Sequence, residues 1–304
     1  MSNSYSFHTL DVFTDTRFGG NPLAVLTDAR GLTTEQMHRI CREFNLSETV
    51  FVLPPEDPSH TRRVRIFTPG RELPFAGHPT VGTAFLLAAT GMIQLTEGET
   101  RIVLEEGVGP VPVTILVENG KPISAQLTAA QEPEFRSGTP TRDEIAALLS
   151  LKATDVSTSS LTAEMVSCGV PFLIAPLVNR DAVSRARLER SVWERVLMNS
   201  WSREVYLFDA GAVSTGGAIR ARMFAPDLGI GEDPATGSAG VCLAAYLAKH
   251  AADGAELSWT IEQGFEMGRP SILSLSAEKS GGRISAIRVA GKSVLVSEGT
   301  LQVS

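Results

Sequence analysis

Proton transfer is the chemistry that the reactive residues of this chain suit best. Glu48 opens the strongly β-forming run Thr49-Val50-Phe51-Val52-Leu53. His78 and Asp233 each precede a proline in a glycine-containing turn, and Ser238 follows the second of these turns. That set holds three groups that exchange protons and no evident nucleophile. There is no G-x-S-x-G, no phosphate loop, no G-x-G-x-x-G and no clustered metal ligands, so no metal or cofactor is expected. Removal and return of a proton at carbon, beside an anchored carboxylate, fits these groups. A carboxyl used as such a base needs its pKa lifted from about 4.3 toward neutrality by a dry pocket.

The turns that carry the set look like two copies of one feature. Gly77-His78-Pro79-Thr80-Val81-Gly82 and Asp233-Pro234-Ala235-Thr236-Gly237-Ser238 each follow a strand-like stretch ending in Phe-x-Pro, at Phe67-Thr68-Pro69 and Phe224-Ala225-Pro226. Each opens an apolar run. Aligned on their prolines, the turns put His78 opposite Asp233. Proline suits the first turn of a helix, and the helix N-terminus offers N–H groups and a dipole to an anion. Gly77 and Gly237 would let a ligand approach the backbone closely, with Thr236 and Ser238 beside them.

The elements that must position these residues also run twice. Residues 80–90 and 239–248 are apolar nearly all round, as in helices buried on every side. Tyr5–Phe13, Leu23–Leu26, Thr49–Leu53 and Val64–Phe67 read as strands. A helix over 34–44 starts at the capping box Thr33-Thr34-Glu35-Gln36. After a linker over 129–140 and a helix capped at Thr141, the order returns: Gly169-Val170-Pro171 before an apolar strand, a helix at about 188–197, and a strand at Glu204–Phe208. A duplication in which each copy wraps a sheet around one central helix follows. Around Trp201-Ser202-Arg203-Glu204 no counterpart of Leu46-Ser47-Glu48-Thr49 is evident. Glu48 therefore reads as a functional residue rather than a requirement of the repeated unit, although a carboxylate at a strand mouth is ordinarily solvated or a cap.

The totals set the class. With 304 residues, the chain can hold one large domain or two of about 150 residues. Its 27 basic and 34 acidic residues leave a net charge of −7 without a basic stripe, which argues against nucleic acid. Three cysteines without CxxC spacing indicate neither disulfides nor zinc, and Cys41 and Cys242 fall on apolar helix faces. No secretory leader or membrane-spanning run is evident, so a cytoplasmic protein is expected.

Four motifs carry a family resemblance: Phe18-Gly19-Gly20-Asn21-Pro22-Leu23-Ala24-Val25, Asn45-Leu46-Ser47-Glu48-Thr49-Val50-Phe51, Phe75-Ala76-Gly77-His78-Pro79-Thr80 and Asp233-Pro234-Ala235-Thr236-Gly237-Ser238-Ala239. In order and spanning the chain, with Gly268-Arg269-Pro270-Ser271 near the end, they resemble the PhzF-like phenazine-biosynthesis isomerases. The resemblance implies an α+β fold like that of diaminopimelate epimerase. That fold has two pseudo-symmetric domains, each a curled, mostly antiparallel sheet or barrel around a central buried helix, with the site in the cleft between them. Here the halves would be 1–128 and 129–304, and the last strand, from about 290, would return to the first.

The resemblance also implies roles. Glu48 would be the general acid/base of a dihydro-hydroxyanthranilate-type isomerisation, in which one carbon of a conjugated system loses a proton and another gains one. His78, Asp233 and Ser238 match the family's other catalytic positions. Gly77, Thr236 and Gly237 would hold the carboxylate of a small anionic substrate. Members are commonly homodimers without cofactor or metal. Two further readings stand beside this one. A two-cysteine racemase of the same fold needs a thiol in each repeated turn, and these turns carry none. A non-catalytic ligand-binding protein would have no reason to keep Glu48, His78 and Asp233 together.

Overall fold

The computed structural model describes residues 3–254 and 256–303. By its internal contacts the chain divides into two units, Met1–Ala130 with Ala290–Ser304, and Gln131–Val289.

The first unit begins with β1 (Asn3–Val12), β2 (Asn21–Leu26), α1 (Thr34–Phe44), β3 (Glu48–Leu53) and β4 (Arg62–Phe67). The two-residue β5 (Glu72–Leu73) leads into α2 (Gly77–Ala89), followed by β6 (Gly98–Glu106), β7 (Gly109–Glu118) and β8 (Lys121–Thr128). The second unit opens with β9 (Glu134–Arg136), α3 (Arg142–Leu148), β10 (Glu164–Ser167) and β11 (Pro171–Leu177). Then come α4 (Arg180–Arg185), α5 (Arg190–Val196), β12 (Glu204–Asp209), α6 (Ala210–Thr215), β13 (Ile219–Ala225) and β14 (Ile230–Asp233). Last are α7 (Gly237–His250), β15 (Glu256–Gln263), β16 (Ser271–Ser280), β17 (Arg283–Gly291) and β18 (Ser293–Val303). The final strand, β18, pairs antiparallel with β1.

The pairing senses repeat step for step. In the first unit β1 and β2 are antiparallel, β2 and β3 parallel, β3 and β4 antiparallel, β4 and β6 parallel, and β6 and β7 antiparallel. In the second, β10 to β11, β11 to β12, β12 to β13, β13 to β15 and β15 to β16 follow the same sequence of senses. Both units are mixed sheets with a central helix, the expected α+β class. β3, β12 and β13 are buried along almost their whole length. Strands buried on both faces read as continuous apolar runs, as β3 does after Thr49 and β12 does from Val205 to Phe208, whereas β13 carries the buried Arg220 and Arg222.

In α2 every residue from Gly77 to Ala88 is buried, and in α7 only Ser238, Lys249 and His250 are not. Each of the large apolar side chains buried there contributes roughly 1.5–3 kcal/mol. Outside the first sheet, α1 lays Met37, Ile40 and Cys41 on Phe51 and Phe67. It starts at Thr33 in a complete capping box with Gln36. Outside the second, Ile145, Leu148, Val183 and Trp193 share a core with Leu173, Val205 and Leu207.

Register locates equivalent residues, and it changes two expectations. Leu23 faces Glu48 across β2 and β3, and Phe172 faces Glu204 across β11 and β12. Glu204 therefore is the counterpart of Glu48, a match hidden in the sequence because the residues flanking the two differ. The turns, too, align otherwise than on Pro79 and Pro234. Ile66 pairs with Leu73, and Met223 with Asp233. Leu73-Pro74 thus corresponds to Asp233-Pro234, while α2 and α7 both begin on glycine, Gly77 and Gly237. Pro79 lies inside the first turn of α2, where its missing N–H costs nothing. His78 is accordingly the counterpart of Ser238, not of Asp233. Three smaller differences are α4 and α6, which were not expected, and β9, a short strand on β10 inside the expected linker.

One close approach is common to both units. A Cβ on Gly107 would lie 2.7 Å from Pro74 Cα, and on Gly264 it would lie 2.5 Å from the Pro234 carbonyl oxygen and 2.4 Å from that of Arg269. In each unit a glycine after β6 or β15 lets the strand end pass against the proline leading into the central helix. Gly264 is also left-handed, with φ +77. Gly229 shares that conformation (φ +75), but a Cβ there would meet nothing. Gly229→Ala is expected to cost about 1–2 kcal/mol from backbone strain alone, and Gly264→Ala about 1–3 kcal/mol more from the clash. Urea unfolding of the two variants checks this; equal losses would mean that the approach to Pro234 has slack.

Candidate active site

In the first unit the strand register fixes Glu48. It is the first residue of β3, held by the parallel ladder at the level of Leu23, directly after the Gly20-Asn21-Pro22 turn. Glu48 is buried, as are Asn21 and His78. His78 is the second residue of α2, and its Nε2 stands 3.5 Å from Glu48 Oε2.

Asn21 sets the imidazole. Ser47 Oγ donates to Asn21 Oδ1 (3.4 Å), which turns the amide nitrogen toward His78 Nδ1 at 3.2 Å. Because Nδ1 then accepts, the ring proton sits on Nε2, the nitrogen that faces Glu48. Burial pushes the pKa of His78 down from its ordinary 6.5 to about 3, so the ring is neutral. A neutral imidazole 3.5 Å from a buried carboxyl stands beside it without competing for its proton.

The second unit places the other sequence-predicted residues together. Asp233 ends β14 and is buried, and its Oδ2 accepts from Thr236 Oγ1 at 2.5 Å. Gly237 is the first residue of α7 and is buried, and Ser238 next to it is partly exposed. Gln263, at the end of β15, closes a buried network. Its Nε2 donates to Asp233 O (2.8 Å) and Thr236 Oγ1 (3.0 Å), and its Oε1 accepts from Tyr206 Oη (3.1 Å) and Thr236 N (3.3 Å). Burial raises the Tyr206 phenol well above its ordinary range, with the Asp233 charge adding to it.

Four contributors escaped the sequence reading. Asn21 and Ser47 entered the sequence reading only as members of motifs, without a role, and Gln263 and Glu106 were given none. Glu106 is a buried carboxyl at the end of β6, 2.6 Å from Thr80 Oγ1, and burial raises its pKa from the usual range to about 8. A polar residue closing an otherwise alternating strand was the available signal. Among the described residues no three His, Cys, Asp or Glu side chains converge as metal ligands. Cys41, Cys168 and Cys242 are all buried, and burial raises the thiols of Cys41 and Cys242. Neither helix start carries one: Ala76 precedes α2 and Thr236 precedes α7. No helix among the described residues is long and apolar enough to cross a membrane.

With this geometry in place, comparison with known proteins identifies relatives along the full length. The family model described as phenazine biosynthesis-like protein matches residues 10–299. An uncharacterized isomerase of Mesorhizobium japonicum is 40% identical over 296 residues, 96% of each chain. The trans-2,3-dihydro-3-hydroxyanthranilate isomerase of Pseudomonas aeruginosa is 36% identical over 295 residues, 97% of this chain and 98% of that one. A Bacillus anthracis phenazine biosynthesis protein of the PhzF family superposes with a TM-score of 0.86 at 27% identity, covering 98% of this chain and 99% of that one. A match that runs from the first strand nearly to the last, to proteins named as isomerases, places this chain in the PhzF family and makes it an isomerase.

Proposed function

We propose that the protein is a cofactor-independent isomerase that moves a proton between carbons of a small carboxylate-bearing substrate, with Glu48 as the general acid/base. The observation that carries this reading is the buried pair of Glu48 and His78, held 3.5 Å apart by a neutral, Asn21-oriented imidazole. A carboxyl in such a setting can take a proton from one carbon and return it to another of the same conjugated system without leaving its place. The trans-2,3-dihydro-3-hydroxyanthranilate isomerases at 36% identity support this substrate class. Helix-start amides, at Gly77 in the first unit or at Gly237 beside Thr236 in the second, suit the carboxylate of such a substrate. Asp233 and Ser238 enter as the family's remaining catalytic positions.

Incubation with trans-2,3-dihydro-3-hydroxyanthranilate in heavy water should introduce deuterium at carbon. Absence of exchange with that compound would remove the specific substrate. Glu48→Gln should slow the exchange by about 10²–10⁴-fold while leaving binding of the substrate carboxylate nearly intact. Exchange at the parent rate in that variant would remove Glu48 from the chemistry.

The imidazole gives a second expectation. Its folded pKa of about 3 lies below the unfolded 6.5, so folding excludes the imidazolium. As pH falls from about 6.5 toward 3, the unfolded chain takes up a proton that the folded chain refuses, and stability is lost across that window. Nitrogen NMR at pH 5 should show the His78 ring neutral with its proton on Nε2. A doubly protonated ring at that pH would overturn the assigned tautomer and its role toward Glu48.

A further inference from the structure

We propose that Glu106 works as an un-ionised carboxylic acid that positions the first turn of α2, in the place where the amide of Gln263 positions the first turn of α7. The equivalence comes from register. Arg63 faces Glu105 across β4 and β6, and Arg220 faces Glu262 across β13 and β15. Glu106 and Gln263 are the next residues, and the glycines that follow them, Gly107 and Gly264, both pass close to the proline before the helix.

Counting protons then fixes the form of the carboxyl. The Thr80 hydroxyl lies 2.7 Å from the Ala76 carbonyl oxygen and 2.6 Å from Glu106 Oε1. One hydroxyl proton cannot serve both contacts, and a carbonyl can only accept, so for both to be hydrogen bonds the Thr80 proton goes to Ala76. The contact with Glu106 is a hydrogen bond only if Glu106 supplies a proton of its own. In the second unit the order is the same with an amide as the source. Gln263 Nε2 donates to the Thr236 hydroxyl, which donates to Asp233.

The amide of the residue before each helix completes the parallel. Ala76 N–H points toward the Glu106 carboxyl without closing a hydrogen bond to its buried Oε2, whereas Thr236 N donates to Gln263 Oε1. A protonated carboxyl and a carboxamide each present one acceptor and at least one donor in nearly the same shape, whereas a carboxylate has no donor. Glu106 Oε2 is buried without a hydrogen-bonded partner, a setting too costly for a charged oxygen.

The charges near Glu106 do not supply a counter-ion. It borders a hollow of about 340 Å³ in the first unit. There Arg63 pairs with Glu56, Arg65 with Glu72, and His60 with Glu105, while Asp57 accepts from Ser59. His78, on the same turn of α2, faces Asn21 and Glu48. Desolvation therefore prevails at Glu106 and gives the pKa of about 8.

The test compares Glu106→Gln and Glu106→Ala with the parent over a pH series. The unfolded carboxyl titrates at about 4.5 and the folded one at about 8. Between these values the unfolded parent loses a proton that the folded parent keeps, so the parent is progressively destabilised as pH rises. Glu106→Gln has no such proton. Its folding equilibrium constant, relative to the parent, should rise by nearly tenfold per pH unit from about pH 4.5 to about pH 8 and then level off. Glu106→Ala should lose the bridge to Thr80 and fall below Glu106→Gln at every pH. A Gln-to-parent ratio that stays flat with pH would overturn the proposal. Should unfolding prove irreversible, infrared difference spectra of parent against Glu106→Gln at pH 6 decide it. A protonated-acid carbonyl band from the parent supports the assignment, and a carboxylate band alone refutes it.

Discussion

Each unit of this protein is built around a helix whose N-terminus is buried. α2 and α7 are buried along nearly their whole length, and each starts without a capping bond from its own flanking side chain. A buried helix start cannot leave its amides and the turn before it to water, so polar groups from elsewhere must come in. Glu106 and Gln263 at the ends of β6 and β15, the glycines after them, and the hydroxyls of Thr80 and Thr236 are that supply. The same burial makes the place useful, since a helix start kept dry holds Gly77-His78 and Gly237-Ser238 in fixed positions. Structural need and chemical opportunity fall on the same few residues.

Duplication supplied the frame, and substitution made the two copies differ. A carboxyl opens β3 in the first unit and its counterpart β12 in the second, so the presence of Glu48 does not itself distinguish them. What differs is its company. Beside Glu48 stand Asn21 and His78; at the corresponding positions of the second unit are Val170 and Ser238, and the Glu204 carboxyl instead takes the Arg203 amide at 3.3 Å. Burial raises the pKa of Glu204. The first unit thus combines a carboxyl with an oriented imidazole, and the second combines Asp233 with Thr236 and Gln263.

Much of the fold was legible in the sequence because its signals are local. The capping box at Thr33, the β-forming run after Glu48 and the all-apolar helices each declare themselves within a dozen residues. Equivalence between the copies was not legible in the same way. Pro79 and Pro234 look alike in sequence, but one lies inside a helix and the other precedes one, and only strand register separates the two cases. The candidate site divides similarly. Glu48, His78 and Asp233 stand out by residue type and motif. Asn21 and Gln263 act through contacts with residues 57 and 30 positions away, which no local pattern encodes.

Glu106 went unread for a related reason. A glutamate next to another glutamate at the end of a strand ordinarily signals solvent, and Glu105 does face outward, to His60 and to the backbone of Glu56 and Asp57. Successive strand residues point to opposite faces, so Glu106 must face inward, where the start of α2 already lies. The period of two that exposes one carboxyl therefore buries its neighbour. Inside, the carboxyl meets a hydroxyl whose only proton is committed to the Ala76 carbonyl. Keeping its proton is the one state in which Glu106 satisfies that neighbour, which is why a glutamate can stand where the other half of the chain uses a glutamine.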